Sequence, residues 1–135
     1  MESARSDDGD AVSLLICDDS ETERKALGQV LRQRGYQVDE AADGAAALRM
    51  IKGRPYDLLL LDLQMPQVDG FDVLKYVQKE RPQLPVVVLS GLPADQIGDG
   101  MHRLPSQELP PLLLKPVDSQ QLVDVIELKL AGELP

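Results

Sequence analysis

Charged side chains follow three apolar runs of the chain, each at the position where the run ends. Asp18 and Asp19 follow the run LLIC, Asp62 follows LLLL, and Lys115 follows LLL. A charged group at the end of a buried strand is costly unless it is paired or used. If the three strands lie side by side and parallel, the carboxylates and the ammonium meet at one edge of a sheet. Such a set of groups suits a divalent cation and a phosphoryl group.

The chemistry expected at this edge is phosphoryl transfer to an aspartate. Neighbouring strands lie about 4.8 Å apart, which would bring the carboxylates of Asp19 and Asp62 close together. Two like charges this close raise each other's pKa unless a cation intervenes, and Mg²⁺ prefers oxygen ligands of this kind. Asp62 would then attack phosphorus as a nucleophile, while Ser90 and Lys115 would each contact a phosphoryl oxygen.

Each of these residues also has an ordinary structural interpretation. Paired acids before a helix interact favourably with the helix dipole, and Asp62 or Ser90-Gly91 could belong to a turn. Lys115 by itself could be a solvated charge. The chemical interpretation is favoured because all of them fall at strand ends on the same predicted edge.

Strand and helix patterns alternate along the chain. The apolar runs predict strands at 13–17, 37–41, 57–62, 86–90 and 112–114. The helical spacing of apolar residues predicts helices at 20–34, 44–52, 70–80 and 118–130. Ser20 and Glu23 match a capping box at the start of the first helix. Between 90 and 115, Gly98, Gly100 and several prolines favour one poor helix and a longer loop.

This alternation predicts an α/β fold with a parallel sheet covered by helices on both faces. Ligands of such folds bind at the carboxyl ends of the strands. The polar strand at 37–41 and the proline-led strand at 112–114 are expected at the two edges of the sheet. We expect one domain at 12–131, preceded by a disordered acidic tail at 1–11 and followed by a short tail or linker at 132–135.

The composition disfavours several classes of function. The net charge of −9 argues against direct contact with nucleic acid or with an anionic membrane. No apolar run approaches the roughly 20 residues of a membrane span, and the acidic start of the chain is unlike a secretory signal. The single cysteine, Cys17, rules out an internal disulfide. We therefore expect a cytoplasmic domain.

Taken together, the motifs resemble those of a response regulator receiver domain of two-component signalling. The matching segments are Asp18-Asp19, the run DLQMPQVDG at 62–70, Ser90-Gly91 and Lys115-Pro116. The run at 62–70 is specific, whereas the other segments are weak when taken singly. Their spacing also fits the family, and together they span about residues 13–131, which is nearly the whole chain.

The resemblance implies a flavodoxin-like fold, in which a doubly wound, five-stranded parallel sheet has the order 2-1-3-4-5 and lies between two layers of helices. It implies that Asp62 is the phosphoacceptor and that Ser90 contacts the phosphoryl group and signals its presence. Lys115 would pair with that group, and the bond from Lys115 to Pro116 would be cis.

The resemblance also implies Mg²⁺ as the cofactor. Asp19 would bind the ion directly and Asp18 mostly through water, Asp62 would be a further ligand, and the backbone carbonyl of Gln64 would complete the protein ligands.

The function implied by the resemblance is that of a phosphorylation-controlled switch. A sensor histidine kinase or a histidine phosphotransfer protein would donate the phosphoryl group, and the domain would then control a downstream effector domain or protein. The domain would catalyse only its own phosphorylation and dephosphorylation, so it is not expected to be a turnover enzyme. No contact with nucleic acid or membrane is expected, whereas homodimerisation is compatible with the resemblance.

Two other functions compete with this interpretation. A Mg²⁺-dependent phosphatase or phosphotransferase with an aspartyl intermediate generally needs an acid/base aspartate close after its nucleophile, and Gln64 cannot protonate a leaving group. A receiver fold that serves only as an interaction module would not need the complete set of acids.

The chain departs from the family at Leu112, where a tyrosine or phenylalanine usually lies three residues before the lysine. The interval of 25 positions from Ser90 to Lys115 is also long for the family. We therefore hypothesise that phosphorylation acts by ordering residues 91–111 rather than by rotating an aromatic ring. Hydrogen exchange over 91–111 with and without a phosphate mimic tests this, and identical protection in both states would rule it out.

Overall fold

Five short strands form one sheet in this computed structural model, which describes residues 11–65, 70–93, 96–97, 104–105 and 109–134. The strands are β1 (Ser13–Cys17), β2 (Gln37–Ala41), β3 (Leu58–Asp62), β4 (Val86–Ser90) and β5 (Leu112–Leu114). Their order in the sheet is β2-β1-β3-β4-β5, and every neighbouring pair is parallel. The predicted fold class and strand order are therefore confirmed.

Four helices cover the sheet within the described part of the chain. They are α1 (Glu21–Gln33), α2 (Gly44–Gly53), α3 (Gly70–Glu80) and α4 (Ser119–Leu130). Ser20, Asp43 and Asp118 cap α1, α2 and α4, because each side chain accepts a hydrogen bond from a backbone N–H of the first turn. None of these helices has the length and apolar character that crossing a bilayer requires.

The leucine run of β3 is unbroken because helices cover both faces of the sheet. Leu58 and Leu60 pack in a cluster with α1 and α4, whereas Leu59 and Leu61 pack in a second cluster with α2 and α3. All four side chains are fully buried, and each burial contributes about 2 kcal/mol to folding. An alternating strand would place a polar group in one of the two clusters.

The strands at the two edges are less buried than β3 and β4. Strand β2 contains partly exposed positions between its buried ones, and β5 has only one buried residue among its three. The prediction that these strands lie at the edges is confirmed.

The segment between β4 and β5 is mostly outside the described residues. The predicted poor helix and the hypothesis about residues 91–111 lie largely in this undescribed part. Most of the predicted tail at 1–11 also lies outside the described residues, and the domain boundaries stay a prediction.

Candidate functional site

Four of the residues predicted from the strand ends meet at the carboxyl edge of the sheet. Asp18 follows β1, Asp62 and Ser90 are the last residues of β3 and β4, and Lys115 follows β5. Carboxylate oxygens of Asp18, Asp19 and Asp62 all lie within 4.8 Å of one another. Asp18 and Asp62 are buried, whereas Asp19 is exposed, so the cluster opens to solvent on one side.

The ammonium of Lys115 lies among three carboxylates. Its Nζ is 3.0 Å from Asp62 Oδ2, 3.6 Å from Asp18 Oδ2 and 2.9 Å from Glu23 Oε1. Burial alone would lower the pKa of Lys115, but the hydrogen bonds to Glu23 and Asp62 outweigh it and raise that pKa above its usual value. Lys115 is therefore firmly protonated and fixed at the end of β5.

One oxygen of Asp18 is buried without a hydrogen bond from any described residue. Oδ1 accepts from the Ser20 N–H at 2.8 Å, but Oδ2 accepts no hydrogen bond, since Lys115 Nζ lies beyond bonding distance at 3.6 Å. Burial raises the pKa of Asp18 to about 6, and burial likewise raises the pKa of Asp62. Because native structures rarely leave such an atom unsatisfied, the site fits a cation that would bind these oxygens.

The backbone of Gln64 and a turn at the end of β4 complete the site. The Gln64 N–H donates to Asp62 Oδ1 at 2.9 Å, and the Gly91 N–H donates to Gln64 Oε1 at 2.9 Å. The Ser90 hydroxyl is buried, donates to the Leu92 carbonyl at 2.7 Å and accepts from the Leu92 N–H at 2.9 Å. The Ser90 hydroxyl thus forms its hydrogen bonds within its own turn. The role of the Gln64 carbonyl as a metal ligand stays a prediction.

Gly70 allows α3 to begin directly against the end of β3. A Cβ atom at this position would overlap the Asp62 carbonyl oxygen and Leu63 Cα, both of them backbone atoms. No side chain fits there, so the glycine is required by close approach of the two backbone segments. The cis bond from Lys115 to Pro116, which the resemblance implies, is present.

Two residues of α1 contribute to the site although the sequence did not single them out for it. Glu23 contacts Lys115, as described above. Arg24 is buried, and its Nη1 donates to the Asp18 carbonyl at 2.8 Å while its Nε donates to Glu40 Oε1 at 3.1 Å. Glu23 was predicted only as part of a capping box, and no local pattern indicated the contact of Arg24 with Asp18.

Leu112 is the first residue of β5, at the position where the resemblance would place an aromatic ring. It pairs in register with Val88 and packs, partly buried, against the cluster that contains α2 and α3. An aliphatic side chain therefore occupies this position.

Comparisons with known proteins agree with this geometry. The family model for the response regulator receiver domain matches residues 14–127. The sensor protein EvgS of Escherichia coli O157:H7 is 43% identical over 75 residues, which are 56% of this chain and 6% of EvgS. The transcriptional regulatory protein GlrR of Escherichia coli (strain K12) is 34% identical over 122 residues, which are 90% of this chain and 27% of GlrR. The chain thus spans a small part of these curated relatives.

The fold also matches a solved structure. The crystal structure of a CheY-like response regulator receiver domain protein from Methanospirillum hungatei JF-1 superposes with a TM-score of 0.80 at 24% identity. The match covers 90% of this chain and 95% of that one.

Proposed function

Because the chain belongs to the response regulator receiver domain family, we propose that it accepts a phosphoryl group on Asp62 and thereby switches an output partner. The observation that carries this proposal is the environment of Asp62. Its carboxylate is buried at the end of β3, 3.0 Å from the ammonium of Lys115 and within 4.8 Å of the carboxylates of Asp18 and Asp19.

The chemical step is a displacement at phosphorus. An Asp62 carboxylate oxygen attacks the phosphorus of a phosphohistidine or an acyl phosphate, so an O–P bond forms and the bond from phosphorus to the leaving group breaks. The electron pair of that bond leaves with the imidazole or carboxylate. Lys115 contacts a phosphoryl oxygen and stabilises the negative charge that the group brings into the site.

The acids of the site suit Mg²⁺, since carboxylates and a backbone carbonyl are oxygen ligands and this ion keeps several waters. Asp19, Asp62 and the Gln64 carbonyl would hold it directly, and Asp18 would hold it through water. When bound, the ion would neutralise the charge between the carboxylates and the incoming phosphoryl group. The unsatisfied oxygen of Asp18 supports this assignment.

Ser90 is proposed as the residue that transmits the change. Its hydroxyl donates to the Leu92 carbonyl, so a new hydrogen bond to a phosphoryl oxygen would release that carbonyl and alter the turn after β4. We propose a receiver domain at 12–131 that acts in the cytoplasm with a sensor histidine kinase or a histidine phosphotransfer protein as donor.

The family is a signalling domain rather than a class of turnover enzymes. The site also lacks the acid that a phosphatase of this kind needs at Gln64, whose side-chain oxygen instead accepts a hydrogen bond from the Gly91 N–H. Of the other acids described at the site, Asp18 and Asp19 are assigned to the metal and Glu23 pairs with Lys115.

Incubation with acetyl phosphate and Mg²⁺, followed by intact-protein mass spectrometry, tests the proposal. The wild type is expected to gain one phosphoryl group, and chelation of Mg²⁺ or Asp62→Asn is expected to prevent the gain. Asp124→Asn, an exposed acid on α4, is the matched control and is expected to behave like the wild type. A phosphorylated Asp62→Asn protein, or an unmodified wild type, would overturn the proposal.

A further inference from the structure

Glu23 makes the shortest of the three ion pairs of Lys115, yet the proposed function gives it no role. Its Oε1 lies 2.9 Å from Lys115 Nζ, compared with 3.0 Å for Asp62 Oδ2 and 3.6 Å for Asp18 Oδ2. The ammonium that must receive a phosphoryl oxygen is therefore already bound by a carboxylate from outside the buried acid cluster.

The contact exists because the capping box of α1 is only half formed. The Ser20 hydroxyl accepts from the Glu23 N–H at 3.2 Å, as the box requires. The reciprocal bond, from the Ser20 N–H to the Glu23 carboxylate, is replaced by a bond from that N–H to Asp18 Oδ1 at 2.8 Å. The Glu23 carboxylate is thus free of the helix terminus and reaches Lys115.

The three partners of Lys115 differ in their access to water. The Glu23 side chain is 46% exposed, whereas Asp18 is 0% and Asp62 is 1% exposed. Water can replace the ammonium beside Glu23 at little cost, because exposed ion pairs are weak. The buried acids lose much more when their cation leaves, since water does not replace it. Glu23 is therefore the partner that releases Lys115 most easily.

We propose that Glu23 is a positioning residue that holds Lys115 in the unphosphorylated protein and competes with the phosphoryl group for its ammonium. This inference rests on the proposed function of Asp62. Glu23 acts in two opposite directions. It slows phosphorylation by occupying Lys115, and it favours binding of a divalent cation by offsetting the positive charge of Lys115 beside the acids.

The test compares Glu23→Gln with Glu21→Gln. Both acids lie in the first turn of α1, so each variant removes one negative charge from the same helix terminus. At saturating Mg²⁺, Glu23→Gln is expected to accept phosphate from acetyl phosphate about two- to fivefold faster than the wild type, the range of an exposed ion pair. Its affinity for Mg²⁺ alone, measured by calorimetry, is expected to fall about two- to fivefold.

A faster phosphorylation together with a weaker affinity for Mg²⁺ separates positioning from a structural role, because a damaged site would show a loss in both measurements. Glu21→Gln is expected to match the wild type in both measurements. In a Lys115→Ala background, Glu23→Gln is expected to give no acceleration of the residual reaction.

Three results would overturn the inference: an unchanged or slower Glu23→Gln protein, an equal effect of Glu21→Gln, or an acceleration that persists without Lys115. A wild type that accepts no phosphate would overturn the proposed function, and the inference with it. A phosphorylated wild type with an identical Glu23→Gln protein would overturn the inference alone.

Discussion

Glu40 on β2 and Asp18 after β1 are both largely removed from solvent, but their surroundings are opposite. Glu40, whose side chain is 11% exposed, contacts three cations: Arg24 at 3.1 Å, Lys25 at 3.3 Å and Arg32 at 3.1 Å. Asp18 is fully buried, and its carboxylate has one cation at 3.6 Å. The first carboxylate is neutralised several times over, whereas the second lies among other acids.

The pKa values of the two acids follow this difference. Burial raises the pKa of both, but hydrogen bonds from Arg32, Lys25 and Arg24 outweigh burial at Glu40 and lower its pKa overall. At Asp18, burial dominates and raises the pKa to about 6. The Glu40 cluster therefore stabilises the fold as a charged group, while Asp18 and Asp62 destabilise the metal-free protein when they are charged.

Arg24 connects the two regions. Its Nε donates to Glu40, and its Nη1 donates to the backbone carbonyl of Asp18. The Glu40 cluster thus fixes the backbone that carries Asp18. Asp18, the functional acid, therefore differs from Glu40, the structural acid, because the fold does not supply enough cations to offset the burial of its carboxylate.

The largest effect is expected from Glu40→Gln. This change leaves the buried Arg24 without its charged partner, and breaking a largely buried ion pair is expected to destabilise the fold by about 2–4 kcal/mol. Urea denaturation measures the change, and Glu80→Gln, an exposed acid at the end of α3, serves as the control. A loss no greater than that of the control would show that Glu40 is not the stabilising centre of its cluster.

Asp18→Asn is expected to stabilise the metal-free protein, whereas Glu40→Gln is expected to destabilise it. Asparagine keeps an oxygen for the Ser20 N–H but removes a buried negative charge, so the metal-free protein at pH 7 is expected to gain about 1–3 kcal/mol. Thermal or urea unfolding in a chelating buffer measures the gain. The variant is also expected to lose part of the stabilisation that Mg²⁺ gives the wild type, because Asp19 and Asp62 remain as ligands. A destabilised variant would mean that Asp18 is compensated after all.

The advantage of Asp18→Asn over the wild type is expected to depend on pH. Because the pKa of Asp18 in the folded protein is about 6 and unfolded aspartate titrates near pH 3.9, the folded state binds the proton more tightly. The stability from this group is fully present below about pH 4 and is lost as the pH rises through 6. The gap between the two proteins should therefore shrink by about 1–2 kcal/mol from pH 7 to pH 4.5.

Parallel urea titrations of the two proteins at several pH values measure this gap. Taking the difference removes the contributions of Glu40 and of other shared groups that do not interact with Asp18. A gap that stays constant with pH would exclude Asp18 as the titrating group.

The strand ends of the site could be predicted from the sequence, because a leucine run that ends in a charged residue fits only a few positions in a fold. A run such as the one before Asp62 must be covered on both faces of the sheet. The charged residue can then lie only at the carboxyl end of the strand. The order of the strands came from the resemblance, although the polar composition of β2 and the prolines before β5 agreed with it.

The contacts made by α1 could not be predicted in this way. The capping box pairs Glu23 with Ser20 by local spacing, but Asp18 takes the Ser20 N–H in the folded protein. The pair formed by Arg24 and Glu40 joins a helix to a strand, and no periodic pattern specifies such a partner. Local spacing patterns predict contacts within a helix, whereas the packing of helices against strands determines which charged side chains meet.

The smallest effect is expected from Lys25→Ala. Lys25 also contacts Glu40, but its side chain is 61% exposed, so its loss is expected to cost less than about 1 kcal/mol. Arg24 and Arg32 remain within 3.1 Å of Glu40 and keep its carboxylate charged. Urea denaturation of Lys25→Ala and Arg24→Ala in low and high salt measures the difference, with salt expected to reduce only the small effect. If the two variants were equally destabilised, compensation at Glu40 would depend on the number of cations rather than on their burial.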